Sequence, residues 1–320
     1  MTPRHLVDPE LAPILPFMPA FGDLDCNTLP GLRAAIDAAA KVQLKSTDMH
    51  GVLVRDAHAT RVGGAVRVVI YSPEASPPLP ALLHFHGGGM VMGRPEMQHE
   101  SLVRIARELS CLVCSVDYRL APEHPYPAAI DDAFTALAWL HDEANNLGVD
   151  RERIAVAGES AGAGLAASLA ILARDRGGPK LSAQMLSYPM LDDRTADRNP
   201  SPSIGEFVWN ARANHFCWTS YLGEATGGRN TSAYAAAARV TTPENLPPAF
   251  IGIGALDLFL EETLVYALRL ARSGVSVEAH VYPGAFHGFD AVPDAAVSAT
   301  FRGDWQRAFR RAFDLQDVRR

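Results

Sequence analysis

From about residue 50 onward the chain alternates short runs rich in Val, Ile and Leu with longer helical patterns, and nothing else in it narrows the fold as far. Strands are expected at 51–56, 65–71, 81–85, 112–117, 153–157, 183–188, 249–254 and 275–282. Helices are expected at 97–109, 128–146, 161–174, 261–273 and 296–313. Continuous apolar strands separated by helices mean strands buried on both faces, hence an α/β fold with a mostly parallel sheet. The last run differs. Val275, Val277, Ala279 and Val281 alternate with Ser276, Glu278, His280 and Tyr282, the pattern of a half-exposed edge strand.

Two stretches fall outside this rhythm. Residues 1–48 hold one helical pattern at 30–42, and residues 190–245 are rich in Asp, Arg, Pro, Asn and aromatics. They are expected to form a cap over the carboxyl ends of the strands, where open α/β sheets bind ligands. The expected division is 1–48 and 190–245 as cap, with 49–189 and 246–320 as the α/β core.

Composition removes several function classes. With 29 basic and 36 acidic residues the net charge is −7, and no basic run is present, which argues against a nucleic acid or an anionic membrane as partner. No apolar stretch reaches the length of a membrane span. The N-terminus carries Asp8 and Glu10 and is broken by Pro9, Pro13, Pro16 and Pro19, unlike a secretory signal, so a cytoplasmic location is expected. Cys111 and Cys114 form a C-x-x-C, but they sit in the apolar run Cys-Leu-Val-Cys-Ser-Val with no second ligand pair. Buried thiols are expected there, and no metal.

The chemistry concentrates at strand ends. The run 153–157 leads into Gly158-Glu159-Ser160-Ala161-Gly162 and then a helical pattern. This strand–turn–helix needs small residues beside the serine, whose hydroxyl it lifts out for attack. Upstream, the run 81–85 ends in His86-Gly87-Gly88-Gly89, with Gly93 following. Successive glycines let backbone N–H groups turn toward a developing oxyanion without a Cβ in the way. His86 itself is expected to hold that loop by hydrogen bonds.

Three histidines follow Ser160: His215, His280 and His287. Hydrolases with this serine turn run in the order Ser, acid, His. His287, in a loop just past the last strand, suits the base. Asp257, at the end of the run 249–254, suits the acid, with Glu261 and Glu262 as nearby carboxylates. The competing reading of Asp257 is a cap on the next helix.

Four blocks carry a family resemblance: His86-Gly87-Gly88-Gly89; Asp117-Tyr118-Arg119-Leu120-Ala121-Pro122-Glu123 with Pro125-Tyr126-Pro127; Gly158-Glu159-Ser160-Ala161-Gly162; and Phe286-His287-Gly288-Phe289. The chain resembles the bacterial hormone-sensitive-lipase-like family of α/β-hydrolase carboxylesterases. The resemblance implies an eight-stranded α/β-hydrolase core with a helical cap and a Ser160–His287–Asp257 triad that needs no cofactor. It also implies an oxyanion hole from the N–H groups of Gly88, Gly89 and Ala161. Three places depart from the family pattern: Glu159 where Asp is usual, Ala163 where a second Gly is usual, and the more apolar stretch Leu258-Phe259-Leu260 after Asp257. The expected substrate is a small carboxylic ester with a short-to-medium acyl chain. Met90, Phe207, Trp209, Trp218 and Phe289 are candidate pocket residues. An amidase, arylformamidase or acyltransferase on the same triad stays open, as does a non-catalytic small-molecule receptor. The edge strand 275–282 suggests a homodimer.

Overall fold

The computed structural model describes residues 3–19, 21–61, 64–197 and 201–313. The parts of the expected segments at 1–2, 20, 198–200 and 314–320 lie outside the described residues. Eight strands form one sheet: β1 Val52–Arg61, β2 Gly64–Pro73, β3 Leu79–Phe85, β4 Leu112–Val116, β5 Val149–Glu159, β6 Ala183–Ser187, β7 Ala249–Gly254 and β8 Val277–Tyr282. Their spatial order is β1-β2-β4-β3-β5-β6-β7-β8. β2 runs antiparallel to both neighbours, and every pair from β4 to β8 is parallel. The fold-class expectation holds.

Every residue of β3, β4, β6 and β7 is buried, which requires cover on both faces and explains their largely apolar sequences. The helices are α1 Leu29–Ser46, α2 His99–Leu109, α3 Ala128–Asp142, α4 Ala144–Leu147, α5 Ala161–Asp175, α6 Ala211–Leu222, α7 Leu260–Arg272 and α8 Ala296–Ala312. The single expected helix 128–146 is thus two. Helix α6 lies in the stretch 190–245 expected as part of the helical cap, where the apolar spacing singles out no particular helix. Its N-cap is Asn210, whose side-chain oxygen accepts from the Ala213 N–H, a sound start signal. Among the described residues no helix is long and apolar enough to cross a membrane. Cys111 and Cys114 are buried in and beside β4, and burial pushes the Cys114 thiol up to about 12.

The edge strand corrects one detail. β8 is at the sheet edge, but Ala279 and Val281 point to solvent while Tyr282 is buried. The Tyr282 hydroxyl donates to Asp304 of α8, and the His280 ring lies against Phe250 and Tyr282. The amphipathic Tyr and His rings have more apolar surface to bury than Ala or Val, so the face that looked polar is the packed one.

Segments outside the α/β rhythm touch the strand ends. Phe21 packs edge-on against Trp209 at 5.4 Å, and the Asp8 N–H donates to Gly284 C=O beyond β8. Arg33 of α1 pairs in fork geometry with Glu123 and also donates to the Val91 and Ala121 carbonyls.

Candidate active site

Ser160 sits between β5 and α5 with φ +55° and ψ −119°. Left-handed backbone of this kind costs a non-glycine residue on the order of 1–3 kcal/mol, which its surroundings must supply. Here the Ser160 N–H donates to Ser187 C=O at 2.9 Å, and its carbonyl accepts from the Gly164 and Met190 N–H groups. The two glycines of the turn are sterically required. A Cβ on Gly162 would lie 2.0 Å from the Phe85 carbonyl oxygen, and one on Gly158 2.5 Å from the Gly162 carbonyl carbon.

His287 lies five residues beyond β8. Its Nε2 is 2.9 Å from Ser160 Oγ, and its Nδ1 is 2.8 Å from Asp257 Oδ2. Nδ1–H donates to the carboxylate, which leaves Nε2 to accept the serine proton. All three residues are buried, at 6%, 6% and 1% exposure for Ser160, His287 and Asp257. The imidazole is enclosed by three rings: Tyr188 at 5.0 Å, Phe259 at 5.3 Å and Trp209 at 5.9 Å. Such enclosure excludes water and strengthens each hydrogen bond through low local polarity. Asp257 is not the cap of α7, whose N-cap is Phe259 with no side-chain bond; its Oδ1 accepts from the Phe259 N–H in the turn before the helix while Oδ2 faces His287.

The glycine loop lies beside the serine. A Cβ on Gly87 would be 3.6 Å from Ser160 Cβ. Gly88 and Gly89 have φ +119° and +63°, and among the described residues neither N–H donates to a backbone acceptor. Ala161 opens α5, so its N–H has no intrahelical partner. His86 is a loop support: its ring stacks on Tyr118 at 4.3 Å, and its carbonyl accepts from the Tyr118 hydroxyl. Burial pulls its imidazole down to about 4. The Tyr118–Glu123 block carries the same loop, with the Ala121 N–H donating to Met90 C=O.

The remaining candidates separate. Glu262 is buried, but accepts from the Leu191 and Asp192 N–H groups and the Thr195 hydroxyl. Burial pushes its carboxyl up to about 8 against those bonds. Glu261 is exposed. His215 is on α6 beside Asp197, and His280 pairs with Glu278. Of the pocket candidates, Trp209 reaches His287, Phe207 stacks near Phe286, and Met90 is buried in the glycine loop. Trp218 is enclosed against Tyr221 within the α6 segment. Phe289 is corrected to a packing residue: it is fully buried among Tyr188, Tyr282 and Phe301, with no face left for a ligand.

Sequence reasoning missed Tyr188, Phe259 and the partner of Glu159. The Glu159 carboxylate is 3.0 Å from His84 Nε2, and His84 Nδ1 is 3.0 Å from Ser115 Oγ. Histidine in the middle of a fully buried apolar strand was the available signal.

Residues 82–291 match the family described as alpha/beta hydrolase fold, and the chain belongs to it. Carboxylesterase NlhH of Mycobacterium tuberculosis is 40% identical over 247 residues, covering 73% of this chain and 75% of that protein. Esterase LipI of the same species is 38% identical over 250 residues, 75% of this chain and 77% of its own. Among solved structures, a bacterial heroin esterase superposes with TM-score 0.89 at 38% identity, covering 96% of this chain and 98% of that one. Esterase LipW from Mycobacterium marinum gives 0.84 at 36% identity, with 97% of each chain covered.

Proposed function

We propose that this protein is a serine carboxylesterase, with Ser160 as nucleophile, His287 as general base and Asp257 as its orienting acid. The observation that carries the reading is the continuous hydrogen-bonded line Ser160–His287–Asp257 at 2.9 and 2.8 Å. Named esterase relatives of the same fold support the ester as substrate class. As His287 Nε2 takes its proton, Ser160 Oγ bonds to the ester carbonyl carbon. The carbonyl oxygen becomes an oxyanion facing the N–H groups of Gly88, Gly89 and Ala161, each worth about 3 kcal/mol of barrier by analogy with measured donors. His287 then protonates the departing alcohol as the C–O bond breaks. Water repeats the sequence on the acyl-enzyme and releases the acid.

The acyl chain is proposed to be short to medium, about two to eight carbons, since a pocket of limited volume buries only a few methylenes. Crowding supports this: a Cβ on Gly89 would lie 2.4 Å from Cys217 Sγ and 2.8 Å from Trp209 Cη2. A homodimer through the 275–282 edge is also proposed. Val281 and, on the adjoining α7, Leu264, Val265 and Leu268 remain exposed, an apolar area that a second copy would cover.

The test is a panel of p-nitrophenyl esters and anilides with Ser160→Ala as control. Turnover of esters over anilides, abolished in Ser160→Ala, with organophosphate labelling at Ser160, supports the reading. An active Ser160→Ala labelled at another serine overturns it. Higher kcat/KM on palmitoyl than on butyryl esters rejects the chain-length proposal, and a light-scattering mass of one chain rejects the dimer.

A further inference from the structure

Asp290 is a half-buried carboxyl for which the Ser160–His287–Asp257 line has no use. It stands three residues after His287, in a short 3-10 turn, Phe289–Ala291. Among the described residues its carboxylate has no basic side chain within ion-pair distance; Arg302 reaches only its backbone carbonyl. Its hydrogen-bond donor is the Tyr188 hydroxyl, at 2.8 Å. Even half-burying a carboxyl with so little compensation is costly, and such groups gather where function requires them.

Tyr188 is itself unusual. It follows β6 with φ +38°, a genuine outlier for a bulky side chain. Its backbone N–H donates to Gly252 C=O at 2.7 Å, and its ring lies edge-on to the His287 imidazole at 5.0 Å and 71°. A strained aromatic residue therefore supports the imidazole at one end and is pinned by Asp290 at the other. We infer that Tyr188 and Asp290 form a positioning unit for His287, separate from Asp257, that holds the imidazole in line with Ser160. The inference rests on His287 being the base of the proposed reaction.

The unit also has its own opening. Between α2 and α8 lies a crevice of about 640 Å³, solvent mouth included, whose lining contains Asp290 but neither Ser160 nor His287. The charged and titratable groups that share it are His84 from β3, Glu159 from β5, Arg104 from α2 and Arg302 from α8. Burial, helped by the Glu159 charge, outweighs the Tyr188 hydrogen bond and pushes the Asp290 carboxyl up to about 6. Ionised, Asp290 is the stronger acceptor for the Tyr188 hydroxyl. As pH falls through 6 that hold weakens.

The experiment compares Tyr188→Phe, Asp290→Ala, Asp290→Asn and the double variant Tyr188→Phe/Asp290→Ala by kcat and KM on a p-nitrophenyl ester, with thermal melts. Tyr188→Phe and Asp290→Ala are each expected to lower kcat roughly fivefold to tenfold, as for one lost hydrogen bond, with KM within about twofold. The double variant should lose no more than either single one, since both remove one contact. Asp290→Asn keeps a neutral, weaker acceptor and should recover only part of kcat. It should also remove from the acid side of the kcat profile the step due to Asp290, which is no larger than the loss in Asp290→Ala. If Tyr188→Phe and Asp290→Asn keep wild-type kcat and a wild-type pH profile, the unit positions nothing and the inference falls. If the two single losses add in the double variant, the residues act separately and it also falls. An active Ser160→Ala would overturn the esterase reading instead, whatever the Tyr188 and Asp290 variants do.

Discussion

Replacing Asp257 with asparagine sets two hydrogen bonds against each other. In the native site Oδ1 accepts from the Phe259 N–H at 2.9 Å and Oδ2 accepts from His287 Nδ1–H at 2.8 Å. Asparagine has one acceptor for these two donors. If its oxygen stays on Phe259, its amide N–H faces Nδ1, and the imidazole must move its proton to Nε2. The base then presents a proton to Ser160 instead of a lone pair. If the amide flips, the correct tautomer returns, but the NH₂ group faces the Phe259 N–H and both are buried without an acceptor. Each stranded donor costs about 1–3 kcal/mol, or about 2–6 kcal/mol together. At 1.36 kcal/mol per decade that predicts a loss in kcat between about 30-fold and about 10⁴-fold, the upper end matching the serine-protease precedent. Steady-state kinetics on p-nitrophenyl acetate measure the loss, and nitrogen NMR of the imidazole reads the tautomer. A folded Asp257→Asn protein with kcat within threefold of wild type would refute the reasoning. Collapse in Glu261→Gln or Glu262→Gln instead would move the acid elsewhere, leaving Ser160 and His287 untouched.

Gly89→Ala should lose on the order of 10²-fold in kcat, the scale of one lost oxyanion donor. The added Cβ meets Cys217 Sγ and Trp209 at φ +63°, and a thermal melt near wild type would show that the loss is catalytic. Glu96 is a stability prediction: burial raises its carboxyl, but hydrogen bonds from Arg94 and Arg67 outweigh burial and bring it down to about 2. Its folded-state pKa lies below the ordinary carboxyl value, so its contribution is complete above about pH 4.5 and is lost as pH falls toward 2. Glu96→Gln should cost about 1–3 kcal/mol at pH 7 by urea unfolding and flatten the stability curve between pH 4.5 and 2; an unchanged curve in that window contradicts the assignment.

The sheet was legible because its central strands are apolar on both faces, and the serine turn because small residues must stand where carbonyls approach within van der Waals range. His287 was legible from chain order together with its place in the loop just past the last strand. Tyr188 was not, since an aromatic residue ending a strand has no signature separating a core ring from one set against an imidazole. Phe289 misled for a related reason. Standing two residues from His287 says nothing about direction, and its ring turns into the Tyr282–Phe301 cluster. Glu159, a departure from the family pattern, found its partner in His84, 75 positions away and adjacent only through the β3–β5 pairing.

That pairing shows what the sheet contributes beyond stability. Glu159 is opposite Ser187, Ser187 opposite Gly252, and Gly254 opposite Tyr282. β5 and β6 end level with each other and β7 and β8 two residues further on, and Ser160, Tyr188, Asp257 and His287 follow within one to five residues of those exits. Alternation of side chains allows a strand to slip only by two residues without turning its core face outward, and two residues are about 6.6 Å. A slip of that size in β7 or β8 would part hydrogen bonds of 2.8 and 2.9 Å outright. Register, fixed by the buried apolar residues of β5 to β8, therefore sets the line from Asp257 to Ser160 before the loops add anything. The loops decide only the last ångström, through Phe259 on the acid, Tyr188 on the imidazole and the glycine turn around the serine.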